Sequence, residues 1–191
     1  MTKRLFIIHG WGGNPNELLH QSLKKNFSKN GFKITIPPMP NKDKPVIKEW
    51  VSCLNKIVGK ADEETYFIGH SIGCQAIMRY LETLSENTKV GKCIFIAGWF
   101  KLNNLESKEE EKIAKPWIED NINLNKIRKI AKNIIVYLSS NEYYGFIEEN
   151  SKIFKEKLGA KVIIEKDMGH FTNEEGKEKL SKFVSKLDFY P

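Results

Sequence analysis

Long hydrophobic runs are missing from this chain. No apolar stretch approaches the ~20 residues that a membrane-spanning helix needs, so the sequence predicts no transmembrane segment. Met1 to Ile8 contain a short apolar stretch without a small-residue cleavage site, which favours a first β-strand over a signal peptide. Of the 191 residues, 40% are hydrophobic and 29% charged, which is typical of globular proteins. We expect a single domain over residues 1–191.

Cysteine is also scarce. The chain has three, Cys53, Cys74 and Cys93, each in an apolar segment and without the spacing of metal ligands. An odd number of buried thiols favours reduced core cysteines over a disulfide framework. We therefore predict a cytoplasmic protein, and no metal site.

Arginine is rare although the formal net charge is +7. Arg4, Arg79 and Arg128 are the only arginines, and the lysines alternate with glutamates along predicted helices. Nucleic-acid binding needs a one-sided basic surface, whereas mixed signs indicate a solvated face. We predict that the chain binds neither nucleic acid nor a membrane surface.

Short β-branched runs alternate with helical patterns along the whole chain. Consecutive apolar positions are typical of strands buried on both faces, and strand–helix alternation predicts a parallel sheet with right-handed crossovers. The fold class is therefore α/β, with three α/β/α layers around a doubly wound, mostly parallel sheet. The predicted strands are Leu5–Ile8, Phe32–Ile36, Tyr66–Ile68, Cys93–Ala97, Ile134–Leu138 and Val162–Ile164.

The segment from Gly69 to Gly73 has the pattern Gly-x-Ser-x-Gly between a predicted strand and a helix. In this context the pattern is the nucleophile elbow, a strained turn that lifts the serine hydroxyl above the carboxyl edge of the sheet. We predict that Ser71 is a nucleophile with strained backbone angles. The alternative is an ordinary turn in which Ser71 caps the helix.

A serine nucleophile needs a general base, and the chain has only four histidines. His170 follows the last predicted strand, at the sheet edge where the elbow opens, and is our candidate, within or near hydrogen-bond reach of Ser71. His9 ends the first strand. His70 should point away from Ser71, and His20, within a helical pattern, should lie at the surface.

The base needs a carboxylate, which in this fold comes between the serine and the histidine in the chain. Glu142 is the only carboxylate in the turn after the predicted strand Ile134–Leu138, and we predict that it accepts the Nδ1–H of His170. Asp167, three residues before His170, is the alternative.

Two backbone N–H groups should stabilise the developing oxyanion. One is that of Ile72, directly after the nucleophile. The other should come from the glycine-rich loop after the first strand, at Trp11, with Gly10 and Gly12 as alternatives. This loop matches neither the dinucleotide-binding glycine pattern nor a Walker loop, which argues against phosphate binding.

These motifs resemble those of the small serine hydrolases of the retinoblastoma-binding-protein-nine and YdeN type, within the α/β-hydrolase superfamily. The resemblance runs almost end to end, from His9-Gly10-Trp11 through the elbow and Pro116-Trp117 to Gly169-His170-Phe171. It implies a compact fold with little or no cap, no cofactor, and a triad of Ser71, His170 and the carboxylate at position 142. The family usually has two acids and a proline at the acid turn, where this chain has Asn141-Glu142-Tyr143.

Aromatic residues crowd the loops that should surround the site. We take Trp99, Trp117 and Tyr143 as candidates for an apolar substrate pocket; packing beneath the loops is the alternative. The polar segment from Leu102 to Lys115 is the one place for a partial lid.

Two functions are consistent with these residues. The first is a serine hydrolase that cleaves a small carboxylic ester or thioester through an acyl-enzyme. The second is a protein-interaction module on a hydrolase scaffold, with a weak or vestigial site and an unidentified protein partner. The complete set of Ser71, Glu142 and His170 favours the hydrolase.

Overall fold

The computed structural model describes residues 2–189. Within this range, six strands form one sheet in the order β2-β1-β3-β4-β5-β6, and all neighbouring pairs are parallel. The strands are β1 Arg4–Ile8, β2 Lys33–Thr35, β3 Thr65–His70, β4 Cys93–Ile96, β5 Ile134–Ser139 and β6 Lys161–Glu165. The predicted three-layer α/β fold is confirmed, and the boundaries differ from the predicted ones by one or two residues at most ends.

Helices cover both faces of the sheet. They are α1 Leu18–Ser28, α2 Ile47–Val58, α3 Ile72–Thr83, α4 Lys108–Glu119, α5 Leu124–Ile130, α6 Ile147–Glu156 and α7 Lys177–Ser185, with a short 3₁₀ turn at Asn173–Glu175 before the last. Helices α1 and α7 pack against each other on one face. The remaining helices contribute to the core on the other face.

The two cores follow from the alternation of side chains along each strand. In β1, Leu5 and Ile7 belong to the core beneath α1 and α7, whereas Phe6 and Ile8 belong to the core on the opposite face. All four are buried almost completely, with exposures of 0–4%. This two-sided burial explains why the strands appear in the sequence as continuous apolar runs.

Strand order brings the candidate loops together. After β1 the chain continues to β2 on one side, and after β3 it continues to β4 on the other side. The topological switch point therefore lies between β1 and β3. In parallel sheets ligands bind at such a point, beyond the carboxyl ends of the strands. Ile8 pairs with Gly69, which puts the loop that follows β1 beside the turn that follows β3.

The described residues include no helix that is both long and apolar enough to cross a membrane.

Helix α3 approaches β1 so closely that position 73 has no room for a side chain. A Cβ on Gly73 would lie 2.4 Å from the carbonyl oxygen of Ile8, far inside van der Waals contact. We expect Gly73→Ala to lower the free energy of unfolding by about 3 kcal/mol, the upper range for overpacking a rigid core, as measured by denaturant unfolding.

The control is Gly31→Ala. Gly31 has a φ of 77°, and a Cβ at this position would have no other atom within 4 Å. The substitution there should therefore cost only the left-handed backbone strain of about 1–2 kcal/mol. Equal losses in the two variants would contradict the close approach of α3 to β1.

Candidate active site

Ser71 lies in a strained turn between β3 and α3. Its backbone angles are φ 53° and ψ −122°, a conformation that L-residues rarely adopt. The turn is fixed because the Ser71 N–H donates to the Ile96 carbonyl at 2.9 Å and the Cys74 N–H donates to the Ser71 carbonyl at 3.0 Å. The expected backbone strain at the elbow is therefore present.

Glycine at position 69 has a steric cause of its own. A Cβ there would lie 2.7 Å from the Cys74 nitrogen, so no larger residue fits where the helix doubles back over the strand. Both glycines of the pattern are thus required by the turn itself.

His170 and Glu142 contact each other across two loops. The Nδ1–H of His170 donates to both carboxylate oxygens of Glu142, at 2.8 and 2.9 Å, and the exposures of the two side chains are 14% and 10%. The ring of Tyr144 packs edge-on against His170, with centroids 4.9 Å apart. The contact with Glu142 fixes the tautomer that carries a lone pair on Nε2.

A polar clamp joins the loop of His170 to the acid turn. Asn141 Oδ1 accepts the Gly169 N–H at 2.8 Å, and Ser139 Oγ accepts the Met168 N–H at 2.9 Å. Ser139 Oγ also donates to Asn141 Oδ1 at 2.7 Å. Asn141 therefore holds the histidine loop in place, a contact that sequence reasoning missed.

The alternative acid, Asp167, takes part in a different contact. Its N–H donates to Ser140 Oγ at 3.0 Å, and its Oδ1 accepts from that hydroxyl at 3.3 Å. No hydrogen bond joins Asp167 to His170 in the described part of the chain. Of the two carboxylates, Glu142 is the one in contact with the histidine.

His70 supports the same loop from below. Its Nε2 donates to the His170 carbonyl at 2.8 Å, and burial together with the neighbouring histidines holds its pKa well below the usual value. A neutral His70 can hold the backbone of the general-base candidate without adding charge beside it.

The Ser71 hydroxyl is held by Trp99. The indole Nε1–H donates to Ser71 Oγ at 3.3 Å, and Gln75 fixes the tryptophan by donating to its carbonyl at 2.6 Å. Ser71 and His170 both line one cavity, but no hydrogen bond joins their side chains within residues 2–189. The contact between Ser71 and His170 stays a prediction.

The loop after β1 lies directly over the serine. A Cβ on Gly10 would lie 3.1 Å from His70 Nδ1, a tight contact, and 3.4 Å from Ser71 Cβ. His9 fixes this loop by accepting the Met39 N–H at 3.0 Å and by donating to the Gly10 carbonyl at 2.8 Å. The loop that carries Trp11 is thus held beside the nucleophile candidate.

The backbone N–H groups of the two predicted oxyanion donors lack a backbone acceptor for different reasons. Ile72 is the first residue of α3, and the first N–H groups of a helix have no acceptor within it. The backbone N–H of Trp11 has no backbone acceptor among residues 2–189. That these two N–H groups form the oxyanion hole stays a prediction.

The cavity beside Ser71 has a volume of about 440 Å³. Its apolar lining comes from the loops after β1, β4 and β5, and three carboxylates also line it. The apolar lining consists of Trp11, Trp99, Leu102, Leu105 and Tyr144, and the carboxylates are Glu17, Glu110 and Glu174. The segment predicted as a partial lid thus supplies Leu102, Leu105 and Glu110 to one wall.

Two of the pocket candidates lie elsewhere. Trp117 is 1% exposed in the core, where its indole donates to the Pro45 carbonyl at 3.1 Å, so it does not line the cavity. Tyr143 is 56% exposed, and its neighbour Tyr144 faces the cavity instead. Trp99 is the candidate that lines the cavity.

His20, expected at the surface, is buried completely. Its Nδ1 donates to the Asn14 carbonyl at 3.0 Å, and burial lowers its pKa to about 4. The surface prediction is wrong because α1 buries His20 together with Leu19 and Leu23.

Comparison with known proteins identifies the family. A sequence profile of the family described as serine hydrolase matches residues 5–188. The chain belongs to the serine hydrolase family. It is 29% identical over 180 residues to the putative hydrolase YdeN of Bacillus subtilis, and the match covers 92% of this chain and 90% of that protein.

Solved structures of other hydrolases have the same fold. The crystal structure of the B. subtilis ydeN gene product has a TM-score of 0.83 at 28% identity, covering 97% of this chain and 96% of that one. A carboxylesterase from the thaumarchaeon Nitrososphaera gargenis has a TM-score of 0.69 at 16% identity, covering 97% and 90%. Est1E from Butyrivibrio proteoclasticus, with ferulic acid bound, has a TM-score of 0.72 at 13% identity, covering 96% and 86%. The chain is a hydrolase with the α/β-hydrolase fold.

The buried His20 should make stability depend on pH. Its pKa is about 4 in the folded chain against 6.5 in the unfolded one, so the unfolded chain takes up the proton first as pH falls. Stability from this residue is complete above pH ~6.5 and is lost towards pH ~4, by about 3 kcal/mol in total. Between pH 7 and pH 4, the free energy of unfolding should therefore fall by about 3 kcal/mol less in His20→Gln than in wild type, as measured by denaturant unfolding.

Because His9 and His70 have lowered pKa values as well, the wild-type curve contains their contributions, and only the difference between the two curves reports His20. Parallel curves would mean that His20 is solvated.

Proposed function

We propose that this hydrolase cleaves a small carboxylic ester or thioester through an acyl-enzyme, with Ser71 as nucleophile, His170 as general base and Glu142 as the orienting acid. The observation that carries the proposal is the contact of His170 Nδ1 with both Glu142 oxygens, at a cavity that Ser71 and His170 line together. This arrangement leaves the lone pair of Nε2 as the base.

In the acylation step, Ser71 Oγ attacks the carbonyl carbon of the ester while His170 Nε2 accepts the hydroxyl proton. Because Trp99 donates to a lone pair of Oγ, the hydroxyl proton is left available for His170. The oxygen of the tetrahedral intermediate accepts from the N–H groups of Ile72 and Trp11. His170 then returns its proton to the leaving alkoxide or thiolate, which departs as alcohol or thiol.

Deacylation repeats these steps with water. His170 takes a proton from the water, the resulting hydroxide adds to the acyl carbon, and the Ser71–acyl bond breaks as the proton passes to Oγ. The carboxylate of Glu142 stabilises the imidazolium in both halves of the cycle. No cofactor enters either step.

The lining of the cavity favours a neutral acyl group of modest size. A volume of about 440 Å³ lies within the range of small-molecule sites, and the tryptophan and tyrosine rings offer stacking surfaces for an aryl or acyl chain. Three carboxylates in the lining disfavour a substrate that carries a negative charge of its own. The aromatic acid bound to Est1E supports an aryl-containing acyl group as the first substrate class to test.

The proposed partner is this small molecule, and we propose no nucleic-acid, membrane or protein partner for catalysis. The free thiols Cys53, Cys74 and Cys93 support a reducing, cytoplasmic location.

Substitution of the two rival carboxylates tests the triad. Glu142→Gln should lower kcat on an activated aryl ester by about 10²–10⁴-fold, because an amide at this position favours the wrong imidazole tautomer. Asp167→Asn is the matched control, because it makes the same change of carboxylate to amide on the adjacent loop. We expect its kcat to remain within about threefold of wild type, since Asp167 contacts Ser140 and not His170.

The kcat of Ser71→Ala gives the residual rate with which the kcat values of both carboxylate variants are compared. Circular dichroism establishes that the variants are folded. A severe loss in Asp167→Asn with a mild one in Glu142→Gln would transfer the acid role to Asp167, and turnover by Ser71→Ala at the wild-type rate would refute the acyl-enzyme.

A further inference from the structure

Three side chains that the proposed mechanism does not use converge at one side of the cavity: Glu17, His20 and His70. One carboxylate oxygen of Glu17 and one ring nitrogen from each histidine lie within 4.8 Å of one another. Glu17 and His20 are one helical turn apart at the start of α1, and His70 ends β3. The cluster therefore joins the first helix to the elbow strand.

Each histidine has one ring nitrogen engaged and the other without a partner. His20 Nδ1 donates to the Asn14 carbonyl and His70 Nε2 donates to the His170 carbonyl. The remaining nitrogens, His20 Nε2 and His70 Nδ1, are buried and have no hydrogen-bond partner among the described residues. Because the engaged nitrogens are the donors, the free ones carry lone pairs.

Lone pairs on two neutral imidazoles are what a transition-metal ion binds. Burial lowers the pKa of both rings, so neither has to lose a proton at neutral pH. The hydrogen bonds to the Asn14 and His170 carbonyls have the form of the outer contacts that orient metal-binding histidines.

Glu17 supplies negative charge and a route of entry. Burial raises the pKa of its carboxyl. Its Oε1 accepts the Asn14 N–H at 3.0 Å, and its Oε2 lies 3.3 Å from His20 Nδ1. The Lys42 ammonium is near enough to lower the pKa of this carboxyl, but it donates its hydrogen bonds to the Gly12 carbonyl and to Asp43. Glu17 and His70 both line the cavity, so an ion can reach the cluster from solvent.

We propose that Glu17, His20 and His70 bind one transition-metal dication, for which Zn²⁺ is the best match, and that the bound ion slows hydrolysis. Two imidazoles and one carboxylate form a ligand set that zinc accepts in tetrahedral sites, with the fourth position open towards the cavity. A harder ion such as Mg²⁺ prefers oxygen ligands and should bind weakly.

The inhibitory part rests on the proposed function. His70 holds the His170 carbonyl, and the two rings have centroids 5.2 Å apart. Acylation turns His170 into an imidazolium, and a dication bound at the adjacent ring opposes that charge. Bound zinc should therefore lower kcat more than it changes KM.

Calorimetric titration of the metal-free protein with ZnCl₂ tests the site independently of activity. The protein should carry Cys53→Ser, because Cys53 is the partly exposed thiol and could bind zinc on its own. We expect one ion per chain with a Kd below about 100 μM. His20→Gln and Glu17→Gln should each weaken binding at least about tenfold.

The matched control is Glu174→Gln, which removes another carboxylate of the same cavity outside the cluster and should leave the Kd within about twofold. If His20→Gln fails to fold, Glu17→Gln at the cavity wall gives the same test. Absence of binding up to millimolar zinc would overturn the proposal in favour of a buried water between the two lone pairs. Equal affinity in all variants would overturn it as well.

Ester hydrolysis forms the second arm. Zinc should lower kcat by about tenfold or more in the Cys53→Ser protein, EDTA should restore it, and His20→Gln should lose this sensitivity. Zinc binding without inhibition would refute the regulatory role and leave the site. An inactive enzyme that binds zinc with the expected variant pattern would refute the proposed function and not the site.

Discussion

The turn at Ser71 is the constraint on which the rest of the site depends. A serine at φ 53° and ψ −122° is held there only because α3 can approach β1 and β3 at Gly73 and Gly69, where a Cβ would overlap backbone atoms. The strain is offset by the packing of α3, whose residues from Ile72 to Leu81 are buried. The hydroxyl is consequently fixed at the sheet edge before any substrate arrives.

The second half of the site is arranged by hydrogen bonds between loops. The loop that carries His170 is held from the β5 side by Ser139 and Asn141 and from the β3 side by His70. Glu142 then contacts a ring whose position is already determined. The long glutamate side chain suits this geometry, since both of its oxygens reach Nδ1.

Sequence patterns predicted the fold because they reflect burial directly. Runs such as Leu5–Ile8 are apolar at consecutive positions because both faces of the strand are covered, and the elbow glycines are required by close contacts around the turn. Chain order also predicted the contact between Glu142 and His170, since parallel strands end at one edge of the sheet.

Other contacts between distant segments could not be predicted in this way. Trp117 and Trp99 both follow β4 in the sequence, and only the tertiary fold puts one against Pro45 in the core and the other against the Ser71 hydroxyl. The prediction for His20 failed because one turn of α1 is covered by the loop at Asn14 and by the other histidines. For the same reason the spacing of three residues between Glu17 and His20 did not predict the proposed metal site.

The central claim is that the fold activates Ser71 through His170. A fluorophosphonate probe followed by intact-mass and peptide mass spectrometry tests it most directly. We predict one adduct per chain on Ser71 in native protein, none in heat-denatured protein, and none in native His170→Ala. Native protein that remains unlabelled, or labelling that survives denaturation or loss of His170, would contradict this claim and favour an interaction module with a vestigial site.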